Sequence, residues 1–156
     1  MKYDKSVVKD FARRTQINLS LINSIKDRQK TEVYEVTQLI NSMLGLLVFP
    51  MATFYQKLPD KSLAQLEEEG WPKINLLEGD VPCKNLKMLI RYLRNGIAHC
   101  NIKFLNDNKN EIIGLEIWNR CNSCDRVTWK ARLSTSDLRV ITDKFIQLLQ
   151  GVVEND

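Results

Sequence analysis

The chain has 156 residues, 44% of them hydrophobic and 27% charged, with a formal net charge of +4 and a single histidine. That length and apolar content suit one domain over residues 1–156 with one sizeable core, and no internal repeat, linker or low-complexity tract is visible. The opening MKYDK lacks the apolar run and cleavage pattern of a signal peptide, and Met43 to Phe49 is too short to span a bilayer.

A cytoplasmic location without membrane association is therefore the expectation, and the positive charge permits a nucleic-acid partner without demanding one.

The first helix is expected from about Tyr3 to Lys26. Val8, Phe11, Thr15, Leu19 and Ile22 would form its buried face, with Lys2, Lys5, Lys9 and Arg13 lined up opposite. That basic stripe reads either as a solvated helix face or as a track for a phosphate backbone. A second helix, from about Thr31 to Gln56, is apolar nearly all round between Leu39 and Phe54, which places it at the centre of a bundle, with a kink at Pro50. Ser62 to Glu69 reads as a short helix whose three glutamates are surface charge. Gly70, Pro72, Gly79 and Pro82 then punctuate a loop.

From Lys84 to His99, Leu86, Leu89, Ile90, Leu93 and Ile97 recur at the spacing of one buried helix face. Met88, Tyr92, Asn95 and His99 share the opposite side, at i, i+4, i+7 and i+11. Large apolar side chains away from the core face imply a partner there, so Met88 and Tyr92 are candidate residues of a homodimer interface. After His99 the period changes. Ile102 to Leu105, Ile112 to Trp118 and Val127 to Leu133 are strand-like and predict a three-stranded antiparallel meander. Ser134 to Asp137 offers a helix cap, and Leu138, Ile141, Phe145, Leu148, Leu149 and Val152 mark an amphipathic last helix. The expected fold is thus mainly α (α+β): a four-helix up-and-down bundle with a small three-stranded meander inserted before the last helix.

The string RNGIAHCN, Arg94 to Asn101, carries the chemistry. Histidine, with an ordinary pKa of about 6.5, exchanges protons near neutrality, and arginine is a permanent forked cation suited to phosphate. Together they suggest phosphodiester chemistry. Arg94 lies about 140° around an ideal helix from His99. It must reach round, or Gly96 must loosen the last turns, or Arg94 must serve the site of another subunit. Lys87, Arg91 and Arg94 form a basic flank, and Thr128, Lys130 and Arg132 on the polar face of the last strand, with Lys103 nearby, are further candidate RNA contacts. Cleavage of RNA by its internal 2′-hydroxyl benefits from both a base and an acid. A chain with one histidine supplies both only by pairing two copies about a two-fold axis.

Arg94, Asn95, three small or apolar residues and His99, at the end of an amphipathic helix, resemble the active-site motif of the HEPN superfamily. The segments FARRTQINLSLI, Phe11 to Ile22, and VTQLINSMLGLLVFP, Val36 to Pro50, also resemble a small HEPN family of bacterial plasmids and chromosomes. The resemblance implies a dimeric helical bundle acting as a metal-independent endoribonuclease in toxin, defence or stress systems, with no cofactor and with an antitoxin or other regulatory partner. It assigns catalysis to Arg94 and His99, with Asn95 as the supporting polar residue. Since some HEPN domains bind RNA or protein without catalysis, the alternative is a non-catalytic dimeric module using the same groove.

Cys121 and Cys124 form one C-x-x-C in the second hairpin turn, while Cys83 and Cys100 stand apart. One reading is half of a zinc knuckle, whose completion by Cys100 and His99 would take the histidine out of catalysis. The expectation is free thiols and no metal.

Overall fold

The computed structural model describes residues 5–28, 34–48, 54–79, 81–121, 123, 124 and 126–154. The expected helix starts at Tyr3 and Thr31, the basic-stripe residue Lys2 and the Pro50 kink fall outside them. The chain folds as two compact units, one of residues 1–57 and 142–156 and the other of residues 58–141.

In the first unit, α1 (Lys5–Arg28) and α2 (Glu35–Val48) are followed by a 3₁₀ turn at Tyr55–Lys57. Val8, Ala12, Thr15 and Leu19, spaced by four, three and four, are the buried stripe of α1. Phe11, expected inside, keeps 40% of its surface exposed, and Ala12 is fully buried instead. The Phe11 ring still serves packing, because it lies over Gly45 of α2, where an added Cβ would fall 2.8 Å from Phe11 Cζ. The apolar α2 buries Leu39, Ile40, Met43, Leu46 and Leu47, each such side chain contributing about 1.5–3 kcal/mol.

The second unit begins with α3 (Leu63–Glu68). Its N-cap Ser62 accepts from the Gln65 N–H, and the Gln65 side chain accepts from the Ser62 N–H at 2.9 Å, a reciprocal capping box. It ends on Gly70, whose φ of 83° is the left-handed conformation glycine adopts without steric cost. The short strand β1 (Asn75–Glu78) follows, then the motif helix α4 (Leu86–Ala98), capped by the Asn85 side chain accepting from the Met88 N–H at 3.0 Å. The strands β2 (Ile102–Asn106), β3 (Ile112–Arg120) and β4 (Val127–Ser134) form the expected meander. The last helix, α5 (Thr135–Glu154), starts where Ser134 and Asp137 cap one another, and the boundary between the units falls within it.

The expected architecture is corrected on this point. Among the described residues the structure has five α-helices and a four-stranded antiparallel sheet ordered β1-β4-β3-β2, not a four-helix bundle with a three-stranded insert. The added strand is β1, within the stretch expected to be a loop, pairing Asn75 with Arg132 and Leu76 with Ala131. All four of its side chains are exposed, so neither burial nor alternation marks it in the sequence. Backbone hydrogen bonds offered by the edge of β4 make it a strand.

Candidate nucleic-acid site

The motif helix is buried on two sides. Leu86, Leu89, Ile90, Leu93 and Ile97 make the expected core face, and Tyr92 and Gly96 are buried as well. Tyr92 stacks at a tilt on Trp129 of β4, with ring centroids 5.3 Å apart, and keeps only 6% of its surface exposed. The reading of Tyr92 as an unpartnered apolar residue facing a second chain is therefore corrected: a residue of its own sheet covers it. Met88, one helical turn earlier at i−4, remains half-buried.

Gly96 is what lets helix and sheet approach. A Cβ there would run into Ile117 Cγ1, 2.7 Å from Ile117 Cδ1 and 3.2 Å from the Trp118 carbonyl oxygen. That close approach sets the polar geometry of the motif. Arg94 Nη1 donates to Asn95 Oδ1 at 2.9 Å, and Asn95 Nδ2 donates to Asn119 Oδ1 on β3 at 3.0 Å. Asn119 Nδ2 in turn donates to Thr128 Oγ1 on β4 at 2.8 Å, and the threonine hydroxyl returns a bond to the Asn119 carbonyl at 3.2 Å. Neighbouring side chains on a helix point apart. Arg94 thus reaches Asn95 by swinging its long chain round the helix, toward the side that bears His99. The helix stays intact meanwhile: the His99 N–H bonds the Asn95 carbonyl at 3.0 Å. Arg94 Nε is buried and finds no hydrogen-bond acceptor among the described residues.

His99 is the C-cap of α4 and is exposed, as are Ala98 and Cys100. The helix closes with the Cys100 N–H on the Ile97 carbonyl at 3.2 Å and the Asn101 N–H on the Gly96 carbonyl at 2.8 Å. This is the double closure that ends α3 too, where the Gly70 and Trp71 amides bond the Glu67 and Leu66 carbonyls. In α4 the left-handed position is held by Cys100 at φ 55°, a conformation that strains a residue with a Cβ. Immediately beside the histidine, the backbone is held in an unusual state.

The structure brings Arg94 and Asn95 into direct contact and sets His99 one helical turn beyond Asn95. No hydrogen bond joins the His99 side chain to either of them among the described residues. On the flank, Arg91 is exposed and Lys87 half-buried. Lys130 and Arg132 are less available than their alternation suggests, because both grip Glu116 of β3: Arg132 Nη2 lies 2.7 Å from Oε1 and Lys130 Nζ 3.1 Å from Oε2. Those two cations, Arg132 first, hold the Glu116 carboxyl below the ordinary carboxylate range. Lys130 also sits 5.9 Å over the Trp118 ring.

Sequence reading missed Asn119 and Glu116, and it placed Thr128 on an RNA-facing strand surface, whereas the structure buries Thr128 against Asn119. One signal was present: Asn119 is a strand-disfavoured residue within a run otherwise rich in strand formers. Among the described residues no three His, Cys, Asp or Glu side chains gather into a group that could hold a metal ion, and no helix is long and apolar enough to cross a membrane.

No curated protein and no solved structure matches the chain. A family model does, the one described as HEPN pEK499 p136, and it matches residues 1–156. With the motif at the end of its amphipathic helix and the family model matched from first residue to last, the chain belongs to this HEPN family.

Proposed function

We propose that the protein is an endoribonuclease of HEPN type that cleaves single-stranded RNA without a metal ion, in a toxin or phage-defence setting. The observation that carries this reading is the Arg94–Asn95 hydrogen bond, held from behind by Asn119 and Thr128, one turn from an exposed His99. A cation fixed in place before substrate arrives stabilises charge that grows during reaction, because no reorganisation is then needed. In the proposed step one His99 takes the proton of the 2′-hydroxyl, whose oxygen attacks the neighbouring phosphorus. The bond to the 5′-oxygen breaks, and His99 of a second copy gives that oxygen a proton. The products are a 2′,3′-cyclic phosphate and a 5′-hydroxyl end. Arg94 faces the charge on the phosphoryl oxygens, and Lys87 and Arg91 bind the flanking backbone.

The test is incubation of the purified protein with varied single-stranded RNAs in the presence of a chelator. Cleavage to cyclic-phosphate ends is expected, with His99→Ala and Arg94→Ala each lowering the rate about 10²-fold or more. Mixing His99→Ala chains with wild type should depress activity below the wild-type share, since each pair needs two imidazoles. Full activity in His99→Ala would overturn the mechanism. RNA binding with no turnover by the wild type would leave a non-catalytic binding module.

A further inference from the structure

The hairpin joining β3 to β4 carries the C-x-x-C pair, which the proposed site leaves unused. The Cys121 N–H bonds the Arg126 carbonyl at 2.8 Å, so the two arms are still paired at the base of the connection. Above that base the Cys121 sulfur has a hydroxyl beside it. The Ser123 hydroxyl lies 3.2 Å from it, close enough for either group to donate to the other. With two residues between them, in a connection closed by the Cys121–Arg126 bond, the two cysteines belong to one short turn. Cys121 is half-buried and Cys124 exposed, so a small reagent has access.

We infer that Cys121 and Cys124 are a reversible dithiol–disulfide site, oxidised by exchange with a low-molecular-weight disulfide of the glutathione class. The steps balance without any other reactant. The Cys121 thiolate attacks one sulfur of the small disulfide, a mixed disulfide forms, and one small thiolate leaves and takes up a proton. The Cys124 sulfur, losing its proton, then attacks Cys121 Sγ, forming the internal bond and expelling the second small thiol. The two cysteines are oxidised and one small disulfide is reduced to two thiols.

The surroundings of Cys121 favour the first step. Hydrogen bonds from Cys124 and then from Ser123 bring the Cys121 thiol down from 9.0 to about 7. A thiol that ionises near ambient pH combines a substantial thiolate fraction with good nucleophilicity. The other cysteines lack this arrangement: Cys83 is buried, its thiol pushed up to about 11 by burial, and Cys100 belongs to the helix closure.

The experiment uses the full chain, purified reduced and then equilibrated with mixtures of glutathione and glutathione disulfide. Peptide mass spectrometry should find loss of two hydrogens confined to the peptide holding Cys121 and Cys124, reversed by excess glutathione. Cys124→Ser should trap glutathione on Cys121, because the second attack is removed. Circular dichroism of the wild type before and after oxidation controls for unfolding without any substitution. Arrest of the wild type at a mixed disulfide, or first reaction at Cys100, would overturn the inference. So would a zinc or copper ion that accompanies the purified protein, is held by the pair and shields it from glutathione disulfide.

Discussion

Asn95 Nδ2 donates to Asn119 Oδ1 across 3.0 Å, and this one bond ties the motif helix to the middle of the sheet. Its partners on either side, Arg94 and Thr128, turn a two-residue contact into a chain of hydrogen bonds from a guanidinium to a β-strand hydroxyl. Because Asn119 is half-buried, removing it leaves amide and hydroxyl groups poorly compensated.

Asn119→Ala is therefore expected to cost about 1–3 kcal/mol in urea denaturation, the usual range for stranding buried polar partners. On the proposed reaction it should lower turnover more than RNA affinity, since Arg94 keeps its charge but loses its brace. Asn119→Asp keeps the acceptor for Asn95 and should recover part of both losses. Wild-type turnover in Asn119→Ala would show that the brace does not matter to the chemistry.

At Gly96 two effects oppose each other. Alanine is better than glycine within a helix by about 1 kcal/mol, but its methyl group would meet Ile117, a side chain only 1% exposed, and the Trp118 carbonyl. Overpacking of that kind costs about 1–3 kcal/mol. Net destabilisation is expected for Gly96→Ala, and Ile117→Val, which removes the Cδ1 atom, should recover part of it in the double variant. A double-mutant cycle by chemical denaturation reads this coupling directly.

Cys100 carries the opposite expectation. With φ at 55° it pays a steric cost of about 1–2 kcal/mol that glycine does not, while glycine gives back about 0.4–1 kcal/mol through its freer unfolded chain. Cys100→Gly should raise the melting temperature slightly, and Cys100→Val should lower it. If Cys100→Gly destabilises the protein, the left-handed cap is not strained.

The thiols should separate by pH. Alkylation of Cys121 by iodoacetamide should rise as pH increases through about 7, because the thiolate is the reactive form and hydrogen bonds from Cys124 and Ser123 favour it. Cys83 should stay the slowest at neutral pH, its ionisation pushed to about 11 by burial. For folding the sign follows from the same shift. A thiol neutral in the folded protein up to about 11 but ionising earlier when unfolded favours the fold below pH 9, and that contribution is lost as pH rises toward 11. Site-resolved mass spectrometry after timed alkylation checks the ranking.

The sequence by itself determined the elements whose signals are local. The apolar spacing from Leu86 to Ile97 defined the motif helix and its core face, and strict alternation from Val127 to Leu133 defined β4. The Ser134 and Asp137 pair defined where the last helix begins. It also singled out Arg94, Asn95 and His99 as the candidate residues for chemistry, because residue type and helical spacing are enough to nominate them. What only the tertiary structure decided depends on neighbours distant in the chain. β1 exists because β4 offers an unpaired edge 50 or so residues later, a pairing that leaves no pattern in Asn75–Glu78. Tyr92 is buried because Trp129 lies across from it, whereas helical periodicity reports which side of a helix a residue occupies and not what covers that side. Asn119 acquires its place beside Asn95 because Gly96 lets α4 settle onto β3, and hydrogen bonds between residues 24 apart depend on that approach rather than on either segment alone.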